Sequence, residues 1–170
     1  SNLEFYIPDR YKEGYGVSEK GIDFAADSNC RLVIALDCGI KAVEKVEYAR
    51  KHGIDFIICD HHTPGDVLPN AFACLDPKRL DCSYPDKNLS GCGVGFKFLQ
   101  AFCREQGIPE EPLYNYLDLV AVSIASDIVP ITGENRVLAA LGLKKLNTNP
   151  LTGLKSIIKV ANMEGKEFLI

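Results

Sequence analysis

Two apolar, β-branched runs bracket a helical stretch and each stops at an aspartate: "RLVIALD" over 31–37 and "IDFIICD" over 54–60. Between them, "GIKAVEKVEYARKHG" over 39–53 sets Ala42, Val43, Val46 and Ala49 at helical spacing, crowds basic residues into its last turn and stops at Gly53. A strand, a helix of about three turns and a strand make a βαβ unit, whose strands are parallel and whose crossover is right-handed. Parallel strands point the same way, so Asp37 and Asp60 emerge at one edge of the sheet. Sites in open parallel sheets form beyond the carboxyl ends of strands.

The rest of the chain extends this alternation. "AFACLDP" over 71–77 reads as a third strand closed by Pro77. Helices are predicted at about 18–27, opened by Ser18 and Glu19, at 90–107 after a Gly-rich entry, at 111–127, at 134–147, and in a shorter piece after Pro150. Leu99, Phe102 and Cys103 share a face of one; Leu117, Val120, Ala121, Ile124 and Ala125 share a face of another. The fold class is therefore α/β, a mostly parallel sheet flanked by helices.

At 170 residues, with 46% hydrophobic and 25% charged residues, the chain has the material for one ordinary domain with a real core. Its apolar runs are far too short to span a membrane, and 1–10 is too polar for a signal peptide. A net charge of −4 argues against a broad nucleic-acid-binding surface while leaving room for a local basic groove. The seven cysteines include no Cys-x-x-Cys pair, and Cys59, Cys74 and Cys103 lie in apolar runs. Free thiols in a reducing cytoplasm are the expectation. Ser1-Asn2 reads as a cloning remnant, which makes the chain an expected piece of something longer.

Of three histidines, two stand side by side in "FIICDHHTPG". Carboxylate plus a single imidazole is a ligand set for divalent cations of the Mn²⁺ or Mg²⁺ type. Asp37 and His61 are candidate ligands, and Asp60 is placed to hold the other ring nitrogen of His61 or to ligate directly. His62 is then left to face substrate as a hydrogen-bond donor or general acid. Asp127 in "ASDIVP" is a third acid, leaving an apolar helix where charge is otherwise hard to justify. Each residue also has a plainer reading: Asp37 and Asp127 as caps, and the histidine pair as solvated loop residues.

"ALDCGI", "ICDHHTPG", "SGCGVGFKF" and "VSIASDIVPITGENR" resemble successive motifs of the DHH phosphoesterase superfamily, and "YIPDRYKEGYGVSEKGI" resembles a segment upstream of them. The resemblance spans about Tyr6–Asn147. It implies a two-metal phosphodiesterase using Mn²⁺ or Mg²⁺. Carried over by position, it makes Asp37, His61 and Asp127 metal ligands, Asp60 a support for His61, and His62 the residue that faces substrate. Arg10 and Arg136 become phosphate-binding candidates, with surface ion pairing as their alternative. Gly91, Gly93 and Gly95 would offer backbone N–H groups to a phosphate, or else form a packing turn.

The chain departs from the superfamily pattern in lacking any Asp-x-Asp, the first motif, and the Gly-Gly-His motif of a second domain. The expectation is an N-terminally truncated DHH domain over 1–170. It should bind divalent metal weakly at one site, show little or no nuclease activity, and expose a sheet edge able to dimerise. The parent activity implied is a 5′-to-3′ exonuclease on single-stranded DNA in repair and recombination. The alternatives are hydrolysis of a small substrate (an oligoribonucleotide or adenosine bisphosphate) and a non-catalytic scaffold of the same fold.

Overall fold

Hydrogen-bond geometry bears out the βαβ reading. The computed structural model describes residues 3–169 and divides into two compact units, Ser1–Tyr84 and Pro85–Ile170. In the first, a short turn of helix α1 (Arg10–Glu13) leads to α2 (Glu19–Asp27), β1 (Leu32–Leu36), α3 (Val43–Lys51), β2 (Asp55–Cys59) and β3 (Ala73–Leu75). Ser18 caps α2 as expected, its Oγ accepting from Gly21 N at 3.0 Å.

The three strands form one parallel sheet in the order β1-β2-β3. Leu36 pairs with Cys59 and Cys59 with Leu75, so the carboxyl ends are level. One face of the sheet is sealed by Ile22 and Ala25 of α2 and Val46 and Ala49 of α3, which close over Ala35, Phe56 and Ile58. Each large side chain so buried contributes about 1.5–3 kcal/mol. The other face of β1 is bare: Leu32, Ile34 and Leu36 are 45% to 59% exposed. Parallel sheets are ordinarily covered on both faces, and β1 is also an edge.

Helix α3 starts at Val43, four residues into the 39–53 stretch and one past Ala42, the first helically spaced position. Asp37 (φ 61°) and Gly39 (φ 110°) first turn the chain back over the sheet. A Cβ at Gly39 would only touch Ile58 and Ala35, at 3.4–3.5 Å; it is the backbone conformation that calls for glycine.

The second unit is helical: α4 (Gly91–Gln106), a 3-10 turn over Glu111–Tyr116 that carries Pro112, α5 (Leu117–Ser126), α6 (Gly133–Thr148) and α7 (Thr152–Val160). Gly107 ends α4 in the left-handed conformation. Val94, Phe96 and Cys103 are the buried side chains of α4, whereas Leu99 and Phe102 are 41% and 50% exposed. In α5 the buried apolar set is Leu117, Val120, Ala121 and Ile124, with Asp118 buried beside them; Ala125 is exposed. α5 and α6 approach so closely that a Cβ at Gly142 would lie 2.1 Å from Leu117 O. The buried Asn135 side chain ties α6 to loops by donating to Asn88 O (2.6 Å) and Pro130 O (3.0 Å). All seven cysteines are free thiols, and no helix among the described residues is long and apolar enough to cross a membrane.

Candidate metal centre

Each strand of the sheet is followed at once by an aspartate: Asp37 after β1, Asp60 after β2 and Asp76 after β3. The ladder runs one bond past the strands, with Asp37 N donating to Cys59 O at 2.8 Å and Asp60 N to Leu75 O at 3.0 Å. Register and direction therefore set the three acids in a row along one edge, on neighbouring strands about 4.8 Å apart.

The middle acid is an organiser. Asp60 is 1% exposed, and its Oδ2 accepts from Ile40 N at 2.9 Å. Its Oδ1 accepts from His61 N (2.7 Å), from His62 N (3.2 Å) and from the His62 ring at Nδ1 (2.7 Å). Burial alone would raise its pKa, but the donors from Ile40, His62 and His61 outweigh burial and hold the carboxyl below the usual range. This corrects the sequence expectation in one respect: the imidazole that Asp60 orients is that of His62, not His61. Three of the four contacts fall on Oδ1, and Oδ2 has the Ile40 N–H as its contact.

With Nδ1–H committed to Asp60, His62 presents Nε2 outward from a half-exposed ring. His61 is 7% exposed, and its Nε2 lies 3.2 Å from Asp37 Oδ1. Asp37 holds its exposed carboxylate in position from a left-handed backbone, a conformation that aspartate tolerates better than most residues. A non-glycine held there at a strand end is an outlier of the kind found at functional sites.

One ligand atom from each of Asp37, His61 and His62 falls in a group with all separations within 4.8 Å. Adjacent ligands on one Mg²⁺ or Mn²⁺ ion stand about 3 Å apart, so the 3.2 Å between Asp37 Oδ1 and His61 Nε2 suits two such ligands. Asp37 with the single imidazole of His61 is a donor set of the Mn²⁺ or Mg²⁺ type; adding the second imidazole would shift the set toward softer ions such as iron(II) or zinc. Thiolate ligation does not compete here. Burial, with the charges of Asp60 and Asp37 added, raises the Cys38 thiol to about 11, and burial with Asp60 raises Cys59 to about 11.

Sequence reading missed Asp76. It is 3% exposed; Oδ1 accepts from Lys78 N at 2.8 Å, while Oδ2 is buried without a hydrogen-bond partner. Burial raises its pKa first; the charge of Asp60 adds to this, while the Lys78 N–H and the His61 ring act the other way. The signal was available, since "CLDP" repeats the apolar-run-then-aspartate pattern of "ALDC" and "ICDH".

Arg10, in the first unit, is exposed and lies over the Tyr15 ring, 4.7 Å from its centroid. The remaining sequence candidates belong to the second unit. Asp127 is the exposed C-cap of α5, where its N–H donates to Ser123 O (2.9 Å) and its Oδ2 accepts from Ser123 Oγ (3.2 Å). An acid there opposes the helix dipole. Arg136 is exposed on the first turn of α6. Gly91 opens α4 and is buried; the Gly93 N–H is taken by the cap, donating to Ser90 Oγ at 3.2 Å.

Residues 1–124 match the family described as DHH family, N-terminal domain. The chain is 42% identical over 161 residues to the single-stranded-DNA-specific exonuclease RecJ of Bacillus subtilis (strain 168), covering 95% of this chain and 20% of that protein. It is 37% identical over 177 residues to RecJ of Escherichia coli (strain K12), covering 98% of this chain and 31% of that protein. Among solved structures, exonuclease RecJ bound to manganese superposes with a TM-score of 0.80 at 31% identity, over 95% of this chain and 40% of the other. RecJ of Thermus thermophilus in complex with Mn²⁺ gives 0.72 at 27% identity, over 88% and 22%. The chain thus spans about a fifth to a third of the length of these curated relatives.

Proposed function

The chain belongs to the DHH family, and from that premise we propose that it is part of a divalent-metal-dependent exonuclease that degrades single-stranded DNA from 5′ to 3′ in repair and recombination. The observation that carries the reading is the convergence of Asp37, His61 and His62 within 4.8 Å at the carboxyl edge of a parallel sheet. The RecJ relatives, named as single-stranded-DNA-specific exonucleases and solved with manganese, support it.

In this reading Asp37 and the His61 ring hold the ion. What a divalent cation supplies when bound is an acidified water and charge neutralisation at the scissile phosphate. The Asp60 carboxylate fixes the His62 ring through Nδ1, which leaves Nε2 to donate to a phosphate oxygen when protonated or to join the ligand set when neutral. Asp127 is proposed as a further ligand on the strength of the "ASDIVPITGENR" motif. Arg10, Arg136 and the backbone at Gly91 are proposed as phosphate contacts on the same footing, and the Gly93 backbone as one only if its N–H leaves Ser90 Oγ. Single-stranded DNA is the proposed partner, the cytoplasm the proposed location, and the bare edge at β1 a route to dimers.

A parent protein containing this chain should digest 5′-labelled single-stranded DNA processively with Mn²⁺ and leave duplex DNA and dinucleotides largely intact. H61A should abolish the digestion. The 170-residue chain alone should show little or none. Preferential cleavage of a dinucleotide by the parent, or full activity of H61A, would overturn the proposal.

A further inference from the structure

We propose that Asp76 is a positioning residue of the metal centre: its buried, unpartnered Oδ2 accepts a hydrogen bond from a water of the ion that Asp37 and His61 hold. The inference rests on the metal-centre reading above and extends it to a residue outside the DHH string.

Three observations carry it. First, Asp76 stands one residue past β3, in register with Asp60, which itself stands in register with Asp37. Second, the residue is 3% exposed yet its carboxylate is half used: Lys78 N satisfies Oδ1, and Oδ2 meets no donor. An unpaired buried carboxylate oxygen is costly; a serine would serve the turn at Lys78 without it, and an asparagine would at least bury no charge. Third, the charge of Asp60, the neighbouring strand-end acid, acts on the Asp76 carboxyl, so the two acids lie within electrostatic reach of each other. The Asp60 carboxylate is consumed by Ile40, His61 and His62. Asp76 is the buried strand-end acid, beside Asp60, that still has an oxygen to offer, and a bound cation with its waters would supply the donor and the balancing charge that the oxygen lacks.

The test is Mn²⁺ titration of the wild-type chain and of D76N, followed by the electron paramagnetic resonance signal of free Mn²⁺ and paired with thermal melts of each protein with and without the ion. Expected is an apo D76N at least as stable as wild type, with a Kd for Mn²⁺ about 10-fold weaker and a smaller rise in Tm on adding the ion. A structural role alone would lower the apo Tm and leave the Kd unchanged, and that result overturns the inference. If D76N does not fold, a crystal of the wild-type chain grown with Mn²⁺ decides. An ion-bound water at hydrogen-bond distance from Asp76 Oδ2 upholds it; an Oδ2 still lacking a partner overturns it. A wild-type chain with no Mn²⁺ affinity removes the metal-centre reading first, a failure distinct from D76N binding as well as wild type.

Discussion

Asp60 Oδ1 accepts from the His62 ring at 2.7 Å while Oδ2 of the same carboxylate accepts from Ile40 N at 2.9 Å. One buried acid thus sets both the orientation of a site histidine and the course of the loop that presents Asp37. Asparagine in its place offers one carbonyl oxygen, so D60N leaves either the Ile40 N–H or the histidine donors facing an amide. The expected loss is about 3 kcal/mol in urea unfolding of the chain. A change below measurement error would mean that this carboxylate does not organise the site.

The left-handed backbone of Asp37 separates function from stability. Any side chain other than glycine is strained there, by about 1–2 kcal/mol. D37G should therefore be more stable than D37A by about 1 kcal/mol, and both should lose Mn²⁺ binding. Equal stabilities in chemical denaturation would show that the turn relaxes in solution.

Glu13 clips the N-terminal segment to α2. It accepts from the Tyr6 hydroxyl (2.7 Å), Asp9 N (2.9 Å) and Ser18 Oγ (2.6 Å). The Ser18 hydroxyl foremost, then Asp9 N–H and Tyr6, lower its pKa from 4.5 to about 2. A carboxyl depressed by folding adds stability above its unfolded pKa and loses it as pH falls through the folded value. The stability gap between wild type and E13Q should be full at neutral pH, shrink below pH 4.5 and close near pH 2. A gap that does not vary with pH would mean that the ionised form is not what matters.

Gly142 has no room for a methyl group: its Cβ would lie 2.1 Å from Leu117 O and 2.6 Å from Ala121 Cβ. G142A should force α5 and α6 apart at a cost of about 3 kcal/mol, against the usual preference for alanine in a helix. Thermal unfolding checks the sign.

Much of this was legible because periodicity and strand-end chemistry are local. The two apolar runs ending in Asp37 and Asp60 located the βαβ unit and the site edge, and Ser18 and Gly107 marked helix ends correctly. What stayed hidden depended on three-dimensional relations. Residues 39–42 belong to the stretch read as helical, yet the positive φ at Asp37 and Gly39 spends them on a turn. Asp60 was expected behind His61, but i-to-i+2 geometry after a strand lets its Oδ1 meet the ring of His62 instead. Asp76 was passed over because Asp-Pro reads as an ordinary turn, and only burial reveals an oxygen with no partner. Leu99, Phe102 and Cys103 share a face of α4 by spacing, yet of the three only Cys103 is buried.

The claim that Asp37 and His61 share a divalent cation is tested most directly by anomalous diffraction from crystals of the wild-type chain soaked in Mn²⁺. The expected result is a peak bonded to Asp37 Oδ1 and His61 Nε2, at about 2.0–2.2 Å from each, that is absent from H61A crystals. Manganese density elsewhere on the molecule, with none between these two side chains, would contradict it.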